Sequence, residues 1–231
     1  YMINLDLVKV MRREKENTVL VLVVPNVNEL PNSKTYGETV RRRLVPVSET
    51  KDTNTVKKIA ILASGSGSNA ENIANYFKGS DHAEVSFIIA NNPEAYVIER
   101  AKRLNIECAV VTKAQFMEAD SIIAMLKERD IDFVVLAGFL LLVPSKLIQA
   151  YPGRIVNIHP ALLPKHGGKG MYGDRVHKAV VESGDTESGI TIHLIDEHYD
   201  KGTTFFQAKC EVLPTDTPED VATKVHALEY E

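Results

Sequence analysis

The stretch that decides the fold is KIAILASGSGSN, residues 58–69. Its first half, Lys58–Ala63, is apolar after the lysine and predicts a buried β-strand. Its second half, Ser64–Asn69, is a glycine-containing loop, and the residues that follow, Ala70–Phe77, have the spacing of a helix. This order favours anion binding, because a glycine loop lets the backbone approach a phosphate and the N–H groups at the helix start point toward it. The stretch therefore predicts the first unit of an α/β sheet with a phosphate site at its edge.

The glycine loop matches neither of two well-known nucleotide loops. It lacks the full dinucleotide fingerprint, because Ala70 stands three positions after Gly67, and it has no Gly-Lys-Ser or Gly-Lys-Thr of a Walker loop. A small phosphate monoester suits it better than a dinucleotide. A plain tight turn is the alternative interpretation.

Strands and helices alternate in the rest of the pattern. We predict strands at 85–90, 108–111, 133–137, 155–156, 188–195 and 205–212, and helices at 95–104, 114–127, 174–183 and 218–229. Strands that alternate with helices form a mainly parallel sheet with both faces covered. The predicted fold class is therefore α/β, with a Rossmann-like, open, mainly parallel sheet and helices on both faces. Thr217 should cap the last helix.

Composition excludes several classes of protein. The chain has 231 residues and a net charge of -4, and no basic face or tail stands out, which argues against a general binder of nucleic acid or membrane surfaces. No apolar run approaches the roughly 18 residues that a membrane span needs. The two cysteines, Cys108 and Cys210, lack metal-ligand spacing, so we expect neither a disulfide framework nor a metal site, and a reducing cytoplasm fits.

Residues 1–56 differ from the rest of the chain. They contain one of the 13 glycines, and nine Lys and Arg against seven Asp and Glu give them a charge of +2, while residues 57–231 carry -6. Val19–Val24 is a candidate strand, and Arg41–Arg43 is more simply a solvated linker than an anion contact. We therefore predict an N-terminal extension of unknown role at 1–56.

A second motif, NIHPALLP at 157–164, carries candidate chemistry. The apolar pair Ile155–Val156 leads into it as a short strand, and Asn157 and His159 then point to the same side of an extended backbone. Open α/β sheets hold ligands at this carboxyl end of their strands. An amide N–H can stabilise an oxyanion and an imidazole can move a proton. For the pair alone, a capping asparagine and a core histidine remain the alternative.

Two further stretches indicate walls of the same site. Gly138–Pro144, GFLLLVP, follows the strand at 133–137 and is either an apolar wall for a flat heterocycle or ordinary core packing. Lys165–Gly173 has four glycines in nine residues, which is typical of a mobile loop that closes over a substrate.

Four motifs in this order resemble those of the phosphoribosylglycinamide formyltransferase family, the folate-dependent enzymes of purine synthesis. They are Ser64–Asn69, Ala137–Phe139, Asn157–Pro160 with Leu162–Pro164, and Asp200 with Gly202. The resemblance covers residues 57–231 and implies a formyltransferase catalytic domain there. The family usually continues with the rest of a helix and a short strand, so we expect this domain to be truncated at its C-terminus.

The resemblance implies a reaction and its partners. The family transfers a formyl group from 10-formyltetrahydrofolate to the amine of 5-phosphoribosylglycinamide, in de novo synthesis of the purine nucleotide IMP. The folate is a co-substrate, and no metal is needed. The expected partners are small molecules, without nucleic acid or membrane, and the expected state is a monomer or homodimer in the cytoplasm.

The resemblance also implies roles for individual residues. The catalytic residues are Asn157, His159 and Asp200. The substrate-binding residues are Gly67, Ser68, Asn69, His226 and Glu229. The folate-binding residues are Leu140, Leu141, Leu142, Val143, Asp196, Glu197, His198 and Tyr199. A carboxylate at Asp200 would favour the charged imidazole, so we expect the pKa of His159 to lie above its usual value of about 6.5.

Three alternatives stay open. Formyltetrahydrofolate deformylase is a hydrolase with the same catalytic trio, but it would leave the phosphate loop unused, and residues 1–56 are short for its regulatory domain. Formyl transfer to an aminoacyl-tRNA needs an additional basic domain for RNA. A noncatalytic phosphate-binding module has no need of a proton shuttle.

Overall fold

The structure is a computed structural model, and it describes residues 56–196, 200 and 202–230. The candidate strand at 19–24 and the basic run at 41–43 lie outside the described residues. So do Glu197, His198 and Tyr199 of the predicted folate site.

Within the described residues, strands and helices follow one another in the predicted alternation. The strands are β1 (Lys57–Ala63), β2 (Ala83–Ala90), β3 (Glu107–Val110), β4 (Phe133–Ala137), β5 (Ile155–His159), β6 (Glu187–Leu194) and β7 (Thr204–Glu211). The helices are α1 (Ser68–Phe77), α2 (Val97–Leu104), α3 (Lys113–Glu118), α4 (Asp120–Glu128), α5 (Ser145–Ala150), α6 (Asp174–Glu182) and α7 (Pro218–Tyr230).

The strands form one sheet in the order β3-β2-β1-β4-β5-β6-β7. The first five strands of this order run parallel, whereas β6 pairs antiparallel with β5 and β7 pairs antiparallel with β6. The prediction of a mainly parallel α/β sheet is confirmed. Chain order reverses between β1 and β4, and the crevice at such a point is where open α/β sheets bind ligands.

Apolar side chains cover both faces of the sheet. In β1, Ile59 and Ile61 point to one face, where α1 packs through Ile73 and Phe77. Leu62 points to the other face, in a second cluster with residues of α4 and α5 such as Leu126 and Leu147. Full burial of each large aliphatic side chain stabilises the fold by roughly 1.5–3 kcal/mol. The predicted helices on both faces are therefore present.

The helix predicted at 114–127 is wrong as a single element. The chain forms α3 and α4 instead, separated by Ala119, whose φ of 65° lies in the left-handed region. Ala119 is fully buried in the second cluster, so tertiary packing overrides the local preference for a continued helix. Thr112 begins α3 with a capping box, since its hydroxyl accepts from Gln115 N while the Gln115 side chain accepts from Thr112 N.

The remaining observations on the helices concern α5, the cap of α7 and helix length. The short helix α5 was not predicted. The predicted cap of α7 is confirmed, because Thr217 Oγ1 accepts from Asp220 N at 3.2 Å. Among the helices of the described residues, none combines the length and the apolar character that a membrane crossing requires.

Candidate active site

A cleft of about 240 Å³ opens at the carboxyl edge of β1, β4 and β5. It brings together most of the residues that the sequence singles out. Those that line it are Gly67, Ser68, Asn69, Leu140, Leu141, Leu142, Val143, Asn157, His159, Asp196, Asp200, His226 and Glu229. The loops after β1 and β4 touch each other directly, since Ser64 N donates to Gly138 O at 3.1 Å and Leu140 N donates to Ser64 Oγ at 2.9 Å.

The glycine loop after β1 is shaped for close approach of a ligand. Gly67 has a φ of 71°, and a Cβ built on it would stand 2.3 Å from Val97 Cγ2, so no other residue fits there without movement. No described side chain caps α1, which begins at Ser68. The N–H groups of its first turn therefore remain available to an anion.

Helix α2 contacts the glycine loop through the side chain of Arg100. Arg100 Nε donates to Ser66 O at 2.8 Å, and the guanidinium also pairs with Glu71 in the first turn of α1. Arg103 adds a second contact to Glu71, at 3.1 Å. The negative charge of Glu71 would oppose a phosphate at the start of α1, and the two arginines offset it. Arg100 was not singled out from the sequence, where it stands 34 residues from Ser66.

Asn157 and His159 emerge on the same side of β5, as their spacing predicts. In the register of β5 and β6 they pair with His193 and Thr191. Asn157 Nδ2 lies 3.2 Å from His193 Nε2, while His193 Nδ1–H donates to Leu194 O at 2.9 Å. Because the Nδ1–H of His193 is donated to Leu194 O, its Nε2 can accept a hydrogen bond from one amide N–H of Asn157. The second N–H of the same amide is left for the cleft.

His193 is a site residue that the sequence analysis missed. It lies in the middle of the strand predicted at 188–195, and it is fully buried. The one sequence feature that could have identified His193 is the presence of a histidine within the alternating pattern of a core strand. The pairing with Asn157 depends on strand register, which the sequence does not display.

The imidazole of His159 is hydrogen-bonded at Nε2 and faces the carboxylate of Asp200 with Nδ1. It is 3% exposed, Nε2–H donates to His166 O at 2.8 Å, and Nδ1 lies 3.7 Å from Asp200 Oδ1. Burial lowers the pKa of His159 below its usual 6.5, and the opposing influence of Asp200 is smaller. The expectation of a raised pKa is therefore wrong, because the ring is more deeply buried and its carboxylate partner more distant than assumed.

Asp200 lies at the junction of three contacts. Its φ of 52° is left-handed, a conformation that aspartate tolerates better than most residues. Oδ2 accepts from Gly168 N at 2.8 Å, and Oδ1 lies 3.4 Å from His193 Nε2. Burial alone would raise the pKa of Asp200, but the contact with His193, the hydrogen bond from Gly168 N and the charge of His159 together hold it below its usual value. Asp200 is thus an anion in the site at neutral pH.

The far end of the cleft is formed by α7. His226 Nδ1 lies 2.8 Å from Glu229 Oε2, and this hydrogen bond raises the pKa of His226 above 6.5. Asn72 Nδ2 of α1 donates to Glu229 O at 3.1 Å and so joins the two helices. Next to them, His177 is buried with its ring centroid 6.2 Å from that of His226, and burial lowers its pKa. This end therefore offers a carboxylate and a histidine with a raised pKa to a polar ligand.

The described residues contain no cluster of His, Cys, Asp or Glu that could hold a metal ion. Both cysteines, Cys108 and Cys210, are free thiols outside the cleft, and burial raises the pKa of each.

Comparison with known proteins gives one consistent family. Residues 57–231 match the family model described as "Formyl transferase". A chloroplastic phosphoribosylglycinamide formyltransferase of Arabidopsis thaliana is 43% identical over 175 residues, which is 73% of this chain and 60% of that protein. The phosphoribosylglycinamide formyltransferase of Haemophilus influenzae is 36% identical over 181 residues, covering 76% of this chain and 83% of that protein. The chain thus spans less than two thirds of the plant relative.

Solved structures agree with the sequence relatives. Phosphoribosylglycinamide formyltransferase from Bacillus halodurans superposes with a TM-score of 0.69 at 37% identity, over 75% of this chain and 90% of that one. Glycinamide ribonucleotide transformylase 1 from Symbiobacterium toebii gives a TM-score of 0.71 at 29% identity, over 79% of this chain and 86% of that one.

Proposed function

This chain belongs to the formyl transferase family, and on that premise we propose that it transfers the formyl group of 10-formyltetrahydrofolate to the amine of 5-phosphoribosylglycinamide. The reaction is a step of de novo purine synthesis. Residues 57–231 are proposed as the catalytic domain. The observation that carries the proposal is the meeting of Asn157, His159 and Asp200 in one cleft whose wall is an anion-binding loop.

The phosphate of the substrate is assigned to Gly67, Ser68 and Asn69. The free N–H groups of the first turn of α1 and the positive end of its dipole favour a doubly charged monoester. The ribose hydroxyls are assigned to Glu229, whose carboxylate is 6% exposed and oriented by His226. This arrangement directs the glycinamide amine toward β5.

Asn157 is assigned to the oxyanion. When the amine attacks the formyl carbon, a C–N bond forms and the carbonyl oxygen gains negative charge. The amide N–H of Asn157 that is not bonded to His193 faces the cleft and stabilises this charge. A single such donor typically contributes about 3–4 kcal/mol to the transition state.

His159 is assigned to proton transfer. Its pKa is lowered, so the ring is neutral near pH 7, and Nδ1 can take the proton that the attacking amine must lose. The imidazolium formed is stabilised by the charge of Asp200. The same proton then passes to N10 of the folate as the C–N10 bond breaks, which releases tetrahydrofolate and the formylated amide. Every proton and bond is accounted for without a further reactant.

The folate ring is assigned to the segment Leu140–Val143. Val143 is buried and packs in the core, whereas Leu140 is 50% exposed at the mouth of the cleft. Phe139 stacks edge-to-face on Phe116 with centroids 4.8 Å apart, which fixes the start of the segment. A flat heterocycle against these side chains would cover apolar surface that is now open to water.

The compartment, the oligomeric state and the extension are proposals as well. Free thiols at Cys108 and Cys210 fit a reducing compartment such as the cytoplasm, while the plant relative's name points to the plastid as an alternative. A monomer or homodimer is expected. Residues 1–56 are proposed to be dispensable for chemistry, because they carry no motif of the site.

The proposed function is tested by following 10-formyltetrahydrofolate with and without 5-phosphoribosylglycinamide. We expect tetrahydrofolate to form only when the amine is present, together with the formylated product. Release of formate at an equal rate without the amine would instead assign the chain as a deformylase. Binding of 5-phosphoribosylglycinamide without any turnover would instead support the alternative of a noncatalytic phosphate-binding module.

A further inference from the structure

We propose that Asp185 is a positioning residue that sets the tautomer of His159 through His166. Asp185 follows the C-terminal end of α6 and lies outside the cleft. Its Oδ2 lies 2.7 Å from His166 Nε2, and the carbonyl of His166 accepts from His159 Nε2 at 2.8 Å. The inference rests on the proposed function only in taking His159 as the group that moves the proton.

The side chains of Lys165 and His166 both contact Asp185 and hold it against the loop. Lys165 Nζ donates to Oδ1 at 2.7 Å, while the His166 ring contacts Oδ2. Lys165 first, and His166 second, hold the pKa of Asp185 below its usual value, so the carboxylate stays ionised. Its own backbone is anchored, because Asp185 N donates to Val180 O in α6. The clip formed by Lys165, His166 and Asp185 therefore ties the loop to a fixed helix.

The loop needs such a clip. His166 has a φ of 51°, an uncommon value for a residue other than glycine, and three of the following glycines, Gly168, Gly170 and Gly173, also have positive φ. Behind the clip lies a groove of about 300 Å³. It is lined by Leu162, Lys165, His166, Asp185, Ser188 and Gln207, among others. Close packing does not hold His166 from that side, so the contacts of Asp185 with Lys165 and His166 hold it there.

The tautomer matters because a neutral imidazole has a single N–H. A backbone carbonyl can only accept, so the contact with His166 O keeps the proton on Nε2 of His159. Nδ1 is then unprotonated and ready to accept the proton of the amine. Asp200 acts in the opposite direction, since its carboxylate, 3.7 Å away, favours a proton on Nδ1. The clip decides this competition in favour of the reactive tautomer.

The test compares Asp185→Ala with the unmodified full chain. In Asp185→Ala, ¹⁵N NMR of the free enzyme should show a substantial population of the Nδ1–H tautomer of His159, with signals assigned through His159→Asn. Turnover should fall about 10- to 100-fold, as is typical when a group that orients a reactive side chain is lost, with KM for both substrates within about threefold. Glu187→Ala is the matched control, because Glu187 pairs with Lys209 at 3.0 Å on the same strand edge and does not contact His166. It should leave tautomer and turnover unchanged.

A conservative variant separates positioning from folding. Asp185→Asn keeps an acceptor for His166, so this variant should retain the Nε2–H tautomer of His159 and most of the turnover. If Asp185→Ala fails to fold, Asp185→Asn provides the test in its place. A His159 that keeps its Nε2–H tautomer in Asp185→Ala would overturn the proposal, and so would a shifted tautomer with unchanged turnover. The tautomer of His159 is measured without substrate. The NMR result therefore tests the role of Asp185 even if the unmodified chain does not transfer formyl groups.

Discussion

The carboxylate of Asp200 lies 3.7 Å from His159 Nδ1, beyond hydrogen-bonding distance, while its other oxygen is held by Gly168 N at 2.8 Å. Asp200 therefore acts on His159 through its charge. That charge raises the pKa of His159 against a larger lowering by burial. With its pKa below 6.5, His159 is unprotonated near neutral pH, as its proposed role as a base requires, and Asp200 limits how far this pKa falls.

Asp200→Asn should lower the pKa of His159 further. The amide keeps the shape but removes the larger of the two influences that raise this pKa, the other being the hydrogen bond to His166 O. The acid limb of the rate profile should therefore move to lower pH. Turnover at the plateau should fall about 10²- to 10⁴-fold, because the imidazolium loses its stabilising charge. An NMR titration of His159 beside steady-state kinetics measures both. A pKa that stays the same or rises would show that Asp200 does not act on His159.

The same shift has a consequence for stability. Because the folded pKa of His159 is depressed below that of the unfolded chain, the unfolded state binds more protons between the two values, and stability from this group rises with pH across that window. Asp200→Asn should widen the window toward lower pH. Denaturant unfolding at several pH values below 6.5 checks the sign.

Asn157→Asp should remove transition-state stabilisation while keeping the shape of the side chain. A carboxylate cannot donate to an oxyanion and would repel it, so kcat should fall at least as far as in Asn157→Ala, about 10²- to 10³-fold, with little change in KM. Steady-state kinetics of the two variants provides the comparison. Near-normal kcat in Asn157→Asp would exclude the oxyanion role.

Gly67→Ala should destabilise the fold and weaken binding of the phosphate substrate. The left-handed φ alone costs about 1–2 kcal/mol for alanine, and the contact with Val97 adds to it. Val97→Ala should not rescue the variant, because Val97 Cβ itself would lie 2.5 Å from the new methyl group. Gly65→Ala is the control, since its Cβ would meet nothing within 4 Å. Equal free energies of unfolding for the two alanine variants would contradict this account.

Binding of the phosphate substrate should weaken as pH rises through the raised pKa of His226. The hydrogen bond with Glu229 raises the pKa of His226, so the ring keeps its positive charge to a higher pH than an unperturbed histidine does, and this charge attracts an anionic ligand. KM should therefore increase above pH 6.5 while kcat changes little, and His226→Asn should flatten this dependence. The charge of His226 contributes to stability below the unfolded pKa and is lost as pH rises through the folded one. A pH dependence of KM that survives in His226→Asn would assign it to another group.

Much of the fold could be predicted because strand and helix periods are local. The run Lys58–Ala63 and the fully apolar run Phe133–Ala137 became β1 and β4 within one residue of their predicted bounds. The break at Ala119 could not be predicted, because Phe116, Ala119 and Ile122 keep helical spacing across it and only their packing in the core requires the left-handed residue.

Site residues that share one sequence motif could be predicted. Residues that meet only after folding could not. Asn157 and His159 share a strand, so spacing alone put them on one side. His193 contacts Asn157 through the register of β5 and β6, and Arg100 contacts Ser66 of the glycine loop from the neighbouring helix α2. The direction of the pKa shift of His159 depends on two opposing quantities, the burial of the ring and the distance to Asp200. Neither can be obtained from the sequence.

The hydrogen bond from Asn72 to Glu229 joins residues that are 157 positions apart. At the usual pace of synthesis, about 5–20 residues per second, roughly 8 to 31 seconds separate the emergence of the two partners from the ribosome. During that interval the nascent chain carries the glycine loop that is proposed to bind phosphate, but it lacks the proposed ribose contact at Glu229. Under the proposed function, the chain is therefore expected to remain inactive until α7 docks.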